Sequence, residues 1–224
     1  MKLNLKKDQD LYFSSDPHYG HKNICEGSSE WKKGGGNSKT RPFITLSKMN
    51  DSIVNNINAR VGEDDVFVCL GDWSFGGFDN IKEFRDRIHC KNIHLFYGNH
   101  DHHIKNNREN IQDLFTSTQW YDELEIRRPS RTLKGRVDKH SFICMHFPIA
   151  SWDKMGKGKI HLHGHTHLPA HCKLGAGKSL DVGVDGNNYK PYSMKEILTM
   201  MTEQPNKCLS IKDDHHIELG KVNI

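Results

Sequence analysis

No uninterrupted apolar stretch approaches the ~18 residues that a membrane-spanning helix needs, and none of the six cysteines stands in a C-x-x-C pair. The first absence leaves no helical membrane span to place. The opening segment MKLNLKKDQD also lacks the apolar stretch of a secretory signal, so the chain is expected in the cytoplasm. Cys25, Cys69, Cys90, Cys144, Cys172 and Cys208 lie far apart, and Cys69 and Cys144 fall inside apolar runs where a thiol behaves as a small hydrophobe. Free thiols in a reducing compartment are the expectation. No internal repeat is present. The excess of one sign of charge is small too: the net +4 does not by itself mark a nucleic-acid partner, though it suits attraction of an anionic substrate.

What is present is length enough for one domain over residues 1–224, with 35% apolar content. A chain of this size buries roughly 70% of its unfolded surface on folding. Hydrophobic periodicity predicts strands at 11–15, 65–70 and 92–97, alternating with helices at 44–60, 80–89 and about 104–115, which implies a layered α/β core. Beyond Trp120 the pattern is strand-rich, with runs at 124–127, 140–145, 160–163 and 179–184. A second sheet packed on the first is therefore expected. A last helix should begin near Ser193, where Glu196 three residues on completes a capping box. Residues 22–41, with Gly34-Gly-Gly and a lone Trp31, read as a long loop.

Sixteen histidines stand out, because imidazole is the commonest transition-metal ligand. Five blocks follow in order: Asp16-Pro-His18, Gly71-Asp72, Gly98-Asn99-His100-Asp101, His146, and Gly164-His165-Thr-His167. The first three each stand directly after an apolar strand, where an open α/β sheet places its binding crevice. Asp16 and His18 are two residues apart, as are His165 and His167, so in extended geometry each pair projects to one side and can grip one ion. Pro17 cannot donate to a ladder and belongs at the strand's end.

The blocks D-x-H, G-D, G-N-H-D, H and G-H-x-H resemble the signature of the calcineurin-like metallophosphoesterases, from Asp16 to His167. Further segments resemble a small bacterial and phage subgroup: Ser15 to His21, Arg41-Pro-Phe43, Met145-His-Phe-Pro148 and residues 182–191. The resemblance implies an α/β two-sheet sandwich flanked by helices, with a dimetal site at the strand C-terminal ends. Asp16, His18, Asp72 and His167 would hold one ion, and Asp72, Asn99, His146 and His165 the other, with Asp72 bridging. It implies hydrolysis of a phosphate ester by a metal-bridging hydroxide, with His100 protonating the leaving group and Asp101 orienting it.

Mixed carboxylate, amide and imidazole ligands suit Mn²⁺, Fe²⁺, Ni²⁺ or Zn²⁺ better than Ca²⁺. Asp72 is followed by Trp-Ser-Phe-Gly-Gly, unlike the D-R-G-containing stretch of the protein Ser/Thr phosphatases. The small size and lack of a cap domain favour a phosphodiesterase acting on a nucleotide or nucleic acid. A phosphomonoesterase of the same fold, or a nucleic-acid-binding module with a structural metal site, are the alternatives. His161 and His163 precede the glycine of the last block and are expected as structural histidines inside a strand. His21 is open to two readings, contact with a substrate phosphate or shaping of the turn after Gly20. Lys154, Lys157 and Lys159, between two of the blocks, are candidate substrate contacts. Residues 127–139 form a basic segment, expected as an exposed hairpin tip, and the acidic and histidine cluster at 213–216 as a solvated turn.

Overall fold

The computed structural model describes residues 1–31, 40–169 and 171–202; Cys208 and the cluster at 213–216 lie outside the described residues. The strands in chain order are β1 (Lys2–Asn4), β2 (Leu11–Ser14), β3 (Val66–Cys69), β4 (Asn92–Phe96) and β5 (Ser117–Gln119). Then come β6 (Tyr121–Pro129), β7 (Val137–Met145), β8 (Ile160–His163), β9 (Ser179–Asp181) and β10 (Tyr192–Ser193). They form two five-stranded mixed sheets, ordered β10-β2-β3-β4-β5 and β1-β6-β7-β8-β9. In the first, β2 to β5 are parallel and β10 is antiparallel to β2.

Strand β3 shows why the sheets stack. Val66 and Val68, with Leu70 just beyond, face the second sheet, where they meet Leu124, Phe142 and Leu162, while Phe67 and Cys69 point the other way. That opposite face is covered by α1 (Leu46–Arg60) and α2 (Phe78–Arg87). Helix α1 starts at Thr45, whose hydroxyl accepts from the Lys48 amide at 3.2 Å, and buries Met49, Ile53, Val54 and Ile57. A sheet buried on both faces needs apolar residues at every strand position, which is why β3 reads as a continuous apolar run. Among the described residues, no helix is long and apolar enough to cross a membrane.

The expected two-sheet class with flanking helices is what the chain adopts. The capping box is present at α4 (Met194–Thr202): the Glu196 amide donates to the Ser193 hydroxyl at 3.2 Å, and the Ser193 amide donates to the Glu196 carboxylate at 2.7 Å. The helix expected over 104–115 does not form. Instead α3 (His102–Lys105) stops short, Asn107, Glu109 and Asn110 take left-handed φ, and Arg108–Leu114 forms 3₁₀ turns broken by a kink at Glu109 and Asn110. The Asn107 side chain accepts from the Gln112 amide at 3.0 Å, so a local side-chain bond outcompetes the helix. Strands β6 and β7 run further into the basic segment than expected, pairing Arg127 with Lys139 and Arg128 with Asp138. Arg128 and Arg131 also meet Asp10, at 3.3 and 3.0 Å.

His161, on β8, is fully enclosed. Its Nδ1 lies 3.1 Å from the Ile143 carbonyl, and its Nε2 accepts from the Ile149 amide at 3.3 Å. Those partners require the neutral ring, and burial followed by the neighbouring His163 lowers its pKa to about 4. Protonation therefore favours the unfolded chain. The stability contribution is intact above the unfolded pKa of about 6.5 and is lost as pH falls toward 4 at ~1.4 kcal/mol per unit. Between pH 7 and pH 5, His161→Gln should lose about 2 kcal/mol less of its unfolding free energy than the wild type. Parallel pH dependences in urea titrations of the two proteins would refute this.

Candidate metal centre

Register brings the motif blocks together. Ser14 pairs with Cys69, and Cys69 with Leu95, so β2, β3 and β4 end side by side and discharge Asp16, Asp72 and Asn99 at one edge of their sheet. The second sheet contributes from its own facing ends: β7 leads into His146, and β8 into His165 and His167. The two sheets meet where the Ser15 amide donates to the Val182 carbonyl at 3.0 Å, and within the second sheet the Gly164 amide donates to that of His146 at 2.9 Å.

Two motif glycines are there because the loops touch. A Cβ on Gly98 would sit 2.1 Å from Asp72 Oδ1, and one on Gly164 would sit 1.9 Å from Ser15 Oγ and 2.3 Å from Asp16 Oδ2. Any side chain at either position would push a candidate ligand out of place. Strain accompanies the crowding. Asp16, His18, Asp72, His165 and His167 all hold left-handed φ between 49° and 70°, a conformation uncommon outside glycine. Such outliers persist where the surroundings over-determine them, characteristically at functional sites.

The side-chain atoms lie at ligand spacing. Asp72 Oδ2 is 3.5 Å from His18 Nε2 and 3.5 Å from His146 Nε2. Asp16 Oδ1 is 3.5 Å from His167 Nε2 and 3.8 Å from His18 Nε2, and the two imidazole Nε2 atoms are 3.3 Å apart. Asn99 Oδ1 sits between His146 Nε2 at 3.0 Å and His165 Nδ1 at 2.9 Å. Donor atoms about 2.1 Å from a common ion are separated by roughly 3.0–3.4 Å. Asp16, His18 and His167 form one group able to hold an ion, and Asp16, Asp72 and His146 another. Asp16 thus belongs to both groups, whereas the resemblance gave Asp72 alone the central place.

An orphaned atom tests whether a cation fits. Asp16 is fully buried, and its Oδ1 has no hydrogen-bond partner. Burial raises its carboxyl to about 7, with His167 pulling it down and the nearby Asp72 pushing it up. Two enclosed carboxylates with unused lone pairs are costly unless a positive charge joins them. The donor set fits divalent cations.

Outer contacts orient the candidate ligands. His167 Nδ1 meets Asp185 Oδ2 at 2.7 Å and His146 Nδ1 meets the Leu70 carbonyl at 2.7 Å, which frees each Nε2 for the centre. Buried Arg41 grips both oxygens of Asp185 at 2.8 Å and donates to the carbonyls of Asp16 and Pro17 at 2.7 and 2.8 Å. Burial would raise the Asp185 carboxyl, but the bonds from His167 and Arg41 hold it well below the usual carboxylate range. Asp181 accepts from the Thr166 hydroxyl at 2.6 Å and the Leu168 amide at 3.0 Å, securing the turn that carries His165 and His167. The sequence reading missed Asp181 and Asp185. Arg41 and Asp185 lie in the segments whose resemblance was noted without a role.

Asp101 differs from its expected part. Its carboxylate accepts from the amides of Asp72, Trp73 and Gly98 at 2.7, 2.9 and 2.8 Å, so it ties the Asp72 loop to the Asn99 loop and makes no hydrogen bond to the His100 ring. Burial raises its pKa to about 7. His100 donates its backbone amide to Asp72 Oδ1 at 2.8 Å, while its ring lies 5.5 Å from that of His18 and 5.4 Å from that of Phe75. It lines a cleft of about 470 Å³ together with His18, His21, Trp31, Phe75 and His167. Of the lysines, Lys159 is buried and paired with Glu123 and Asp153 at 2.5 and 2.9 Å, a structural cation that holds down its own loop, in contrast to the substrate contact expected of it. Lys154 and Lys157 are exposed and are not among the residues lining the cleft.

No family model matches the chain. It is 23% identical to an uncharacterised protein of Methanocaldococcus jannaschii over 91% of its own length and 97% of the other's. It is 28% identical to the gene 66 protein of Mycobacterium phage L5 over 70% of its own length and 77% of the other's. A crystal structure of a protein of unknown function from Aquifex aeolicus, 20% identical, superposes with a TM-score of 0.57 over 86% of this chain and all of the other. The α/β fold is therefore one that a solved protein shares.

Proposed function

We propose that the chain is a metal-dependent phosphoesterase that hydrolyses phosphodiesters of nucleotides or nucleic acid. What supports this reading above all is the buried, unpartnered Asp16 Oδ1 beside His18 and His167, with Asp72, His146, Asn99 and His165 joined to them in steps of 2.9–3.8 Å, close to the spacing of ligands around divalent ions. Two ions held there would supply Lewis acidity at the phosphoryl oxygens and an activated water nucleophile at neutral pH. The protein's own part is positional. The Arg41–Asp185 pair and Asp101 keep the ligand loops in register, which removes the reorganisation a flexible site would need. His100, on the cleft wall beside His18, gives its proton to the leaving alcohol oxygen as the P–O bond breaks.

Metal analysis of the purified protein, paired with turnover of bis-p-nitrophenyl phosphate, tests this. Close to two divalent ions per chain are expected, among Mn, Fe, Ni and Zn, with turnover abolished by chelation and restored by Mn²⁺. Turnover indifferent to chelation, or a chain that takes up no divalent ion, would overturn the reading.

A further inference from the structure

Resting on the phosphodiesterase reading, we infer that the cleft beside His100 receives the nucleoside portion of the substrate, with its base stacked on the exposed ring of Phe75.

Phe75 is 39% exposed although it is a large apolar side chain, and it is fixed there. Its amide donates to the Tyr19 carbonyl at 2.8 Å, and its own carbonyl accepts from the Asn80 side chain at 2.5 Å. One part of the ring packs on His21, with centroids 4.1 Å apart and planes inclined by 21°, and the ring lies 5.4 Å from that of His100. The exposed remainder looks into the cleft, whose wall also carries Trp31, 37% exposed and edge-on to His21 at 5.6 Å. Folding alone gives no reason to hold two aromatic rings open to solvent within one cleft. A flat ligand does, because every base offers a π-face to a sequence-tolerant platform.

Size and polarity agree. About 470 Å³ is within the range of small-molecule sites and leaves room for a nucleoside. His21, on the same wall, keeps a buried Nδ1 with no hydrogen-bond partner, so the wall carries unused polar capacity next to Phe75. An alkyl leaving group would use neither feature. The placement also serves the chemistry, since a base seated on Phe75 brings the attached ribose oxygen toward the neighbouring His100.

Calorimetric titration of the full chain loaded with Mn²⁺ tests the inference with three anions: inorganic phosphate, ribose 5-phosphate and adenosine 5′-monophosphate. The wild type should bind the nucleotide at least about tenfold more tightly than the sugar phosphate, the scale of one base–aromatic stack. Phe75→Ala should bring the two within about twofold, Phe75→Tyr should keep the preference, and phosphate affinity should stay constant throughout. If Phe75→Ala loses phosphate binding, Phe75→Leu, which keeps the bulk and removes the ring, is read in its place. Equal affinities in the wild type, or a preference that survives without the ring, overturn the platform while leaving phosphoester hydrolysis standing. Failure of all three anions to bind overturns both.

Discussion

Asp72→Asn protein is expected to fold, to lose most of its metal-induced stabilisation, and to turn over phosphodiesters roughly 10³-fold more slowly than the wild type. Asp72 Oδ2 is equidistant, at 3.5 Å, from His18 Nε2 and His146 Nε2, and Oδ1 is committed to the His100 amide at 2.8 Å. An amide keeps the shape and can keep the bond from His100, but it removes a negative charge that lies between His18 of one ligand group and His146 of the other. About 4 kcal/mol of charge stabilisation in the transition state corresponds to that loss in rate. The metal-free fold should not suffer, because the change also relieves the repulsion between Asp72 and the buried carboxylate of Asp16. Metal added to the wild type at a hundred times its Kd contributes about 2.7 kcal/mol, or roughly 5–10 °C in Tm for a domain of this size. The variant should show a small fraction of that shift. Wild-type turnover with two bound ions in Asp72→Asn would end the dimetal hypothesis.

The candidate ligand side chains were legible in the sequence because the patterns are short: Gly71-Asp72, Gly98-Asn99 and Gly164-His165 each set a glycine between an apolar strand and the side chain, and Asp16 and His146 follow their strands without one. Gly98 and Gly164 mark where loops from different strands touch, and that information survives in a single letter. Left-handed φ at Asp16 or His167 does not, because nothing in the residue type announces a strain imposed by neighbours distant in the chain. Likewise, Asp185 meets Arg41 across 144 positions, and only the folded register shows that His167 Nδ1 shares the same carboxylate.

Asp101 and Lys159 illustrate a different limit. Each stands inside or beside a motif block, and adjacency in sequence suggested adjacency in role. The backbone turn between Gly98 and Asp101 instead swings the Asp101 carboxylate under three amides, and burial commits Lys159 to Glu123 and Asp153. The failed helix over 104–115 has the same origin. Its apolar spacing was helical, but Asn107 found a nearer partner in the Gln112 amide. Spacing predicts which face a residue occupies; it does not predict which of two available hydrogen bonds forms.

His100→Asn should separate proton donation from metal holding. The backbone bond from His100 to Asp72 is indifferent to the side chain, and the ring lies beside His18 and Phe75 without a hydrogen bond to a candidate ligand atom. Metal content should therefore match the wild type. A ribose alkoxide leaves poorly unless protonated, so hydrolysis of a dinucleotide should slow by roughly 10²–10⁴-fold, the usual contribution of general acid catalysis. p-Nitrophenolate is stable as an anion, and the nitrophenyl diester should slow much less. The Asp101 carboxylate accepts from three backbone amides and makes no hydrogen bond to the His100 ring, which leaves the ring's proton for solvent or substrate. Equal losses on the two substrates, or loss of metal from His100→Asn, would instead make this histidine an organiser of the Asn99 loop, and the leaving oxygen would have to take its proton from elsewhere.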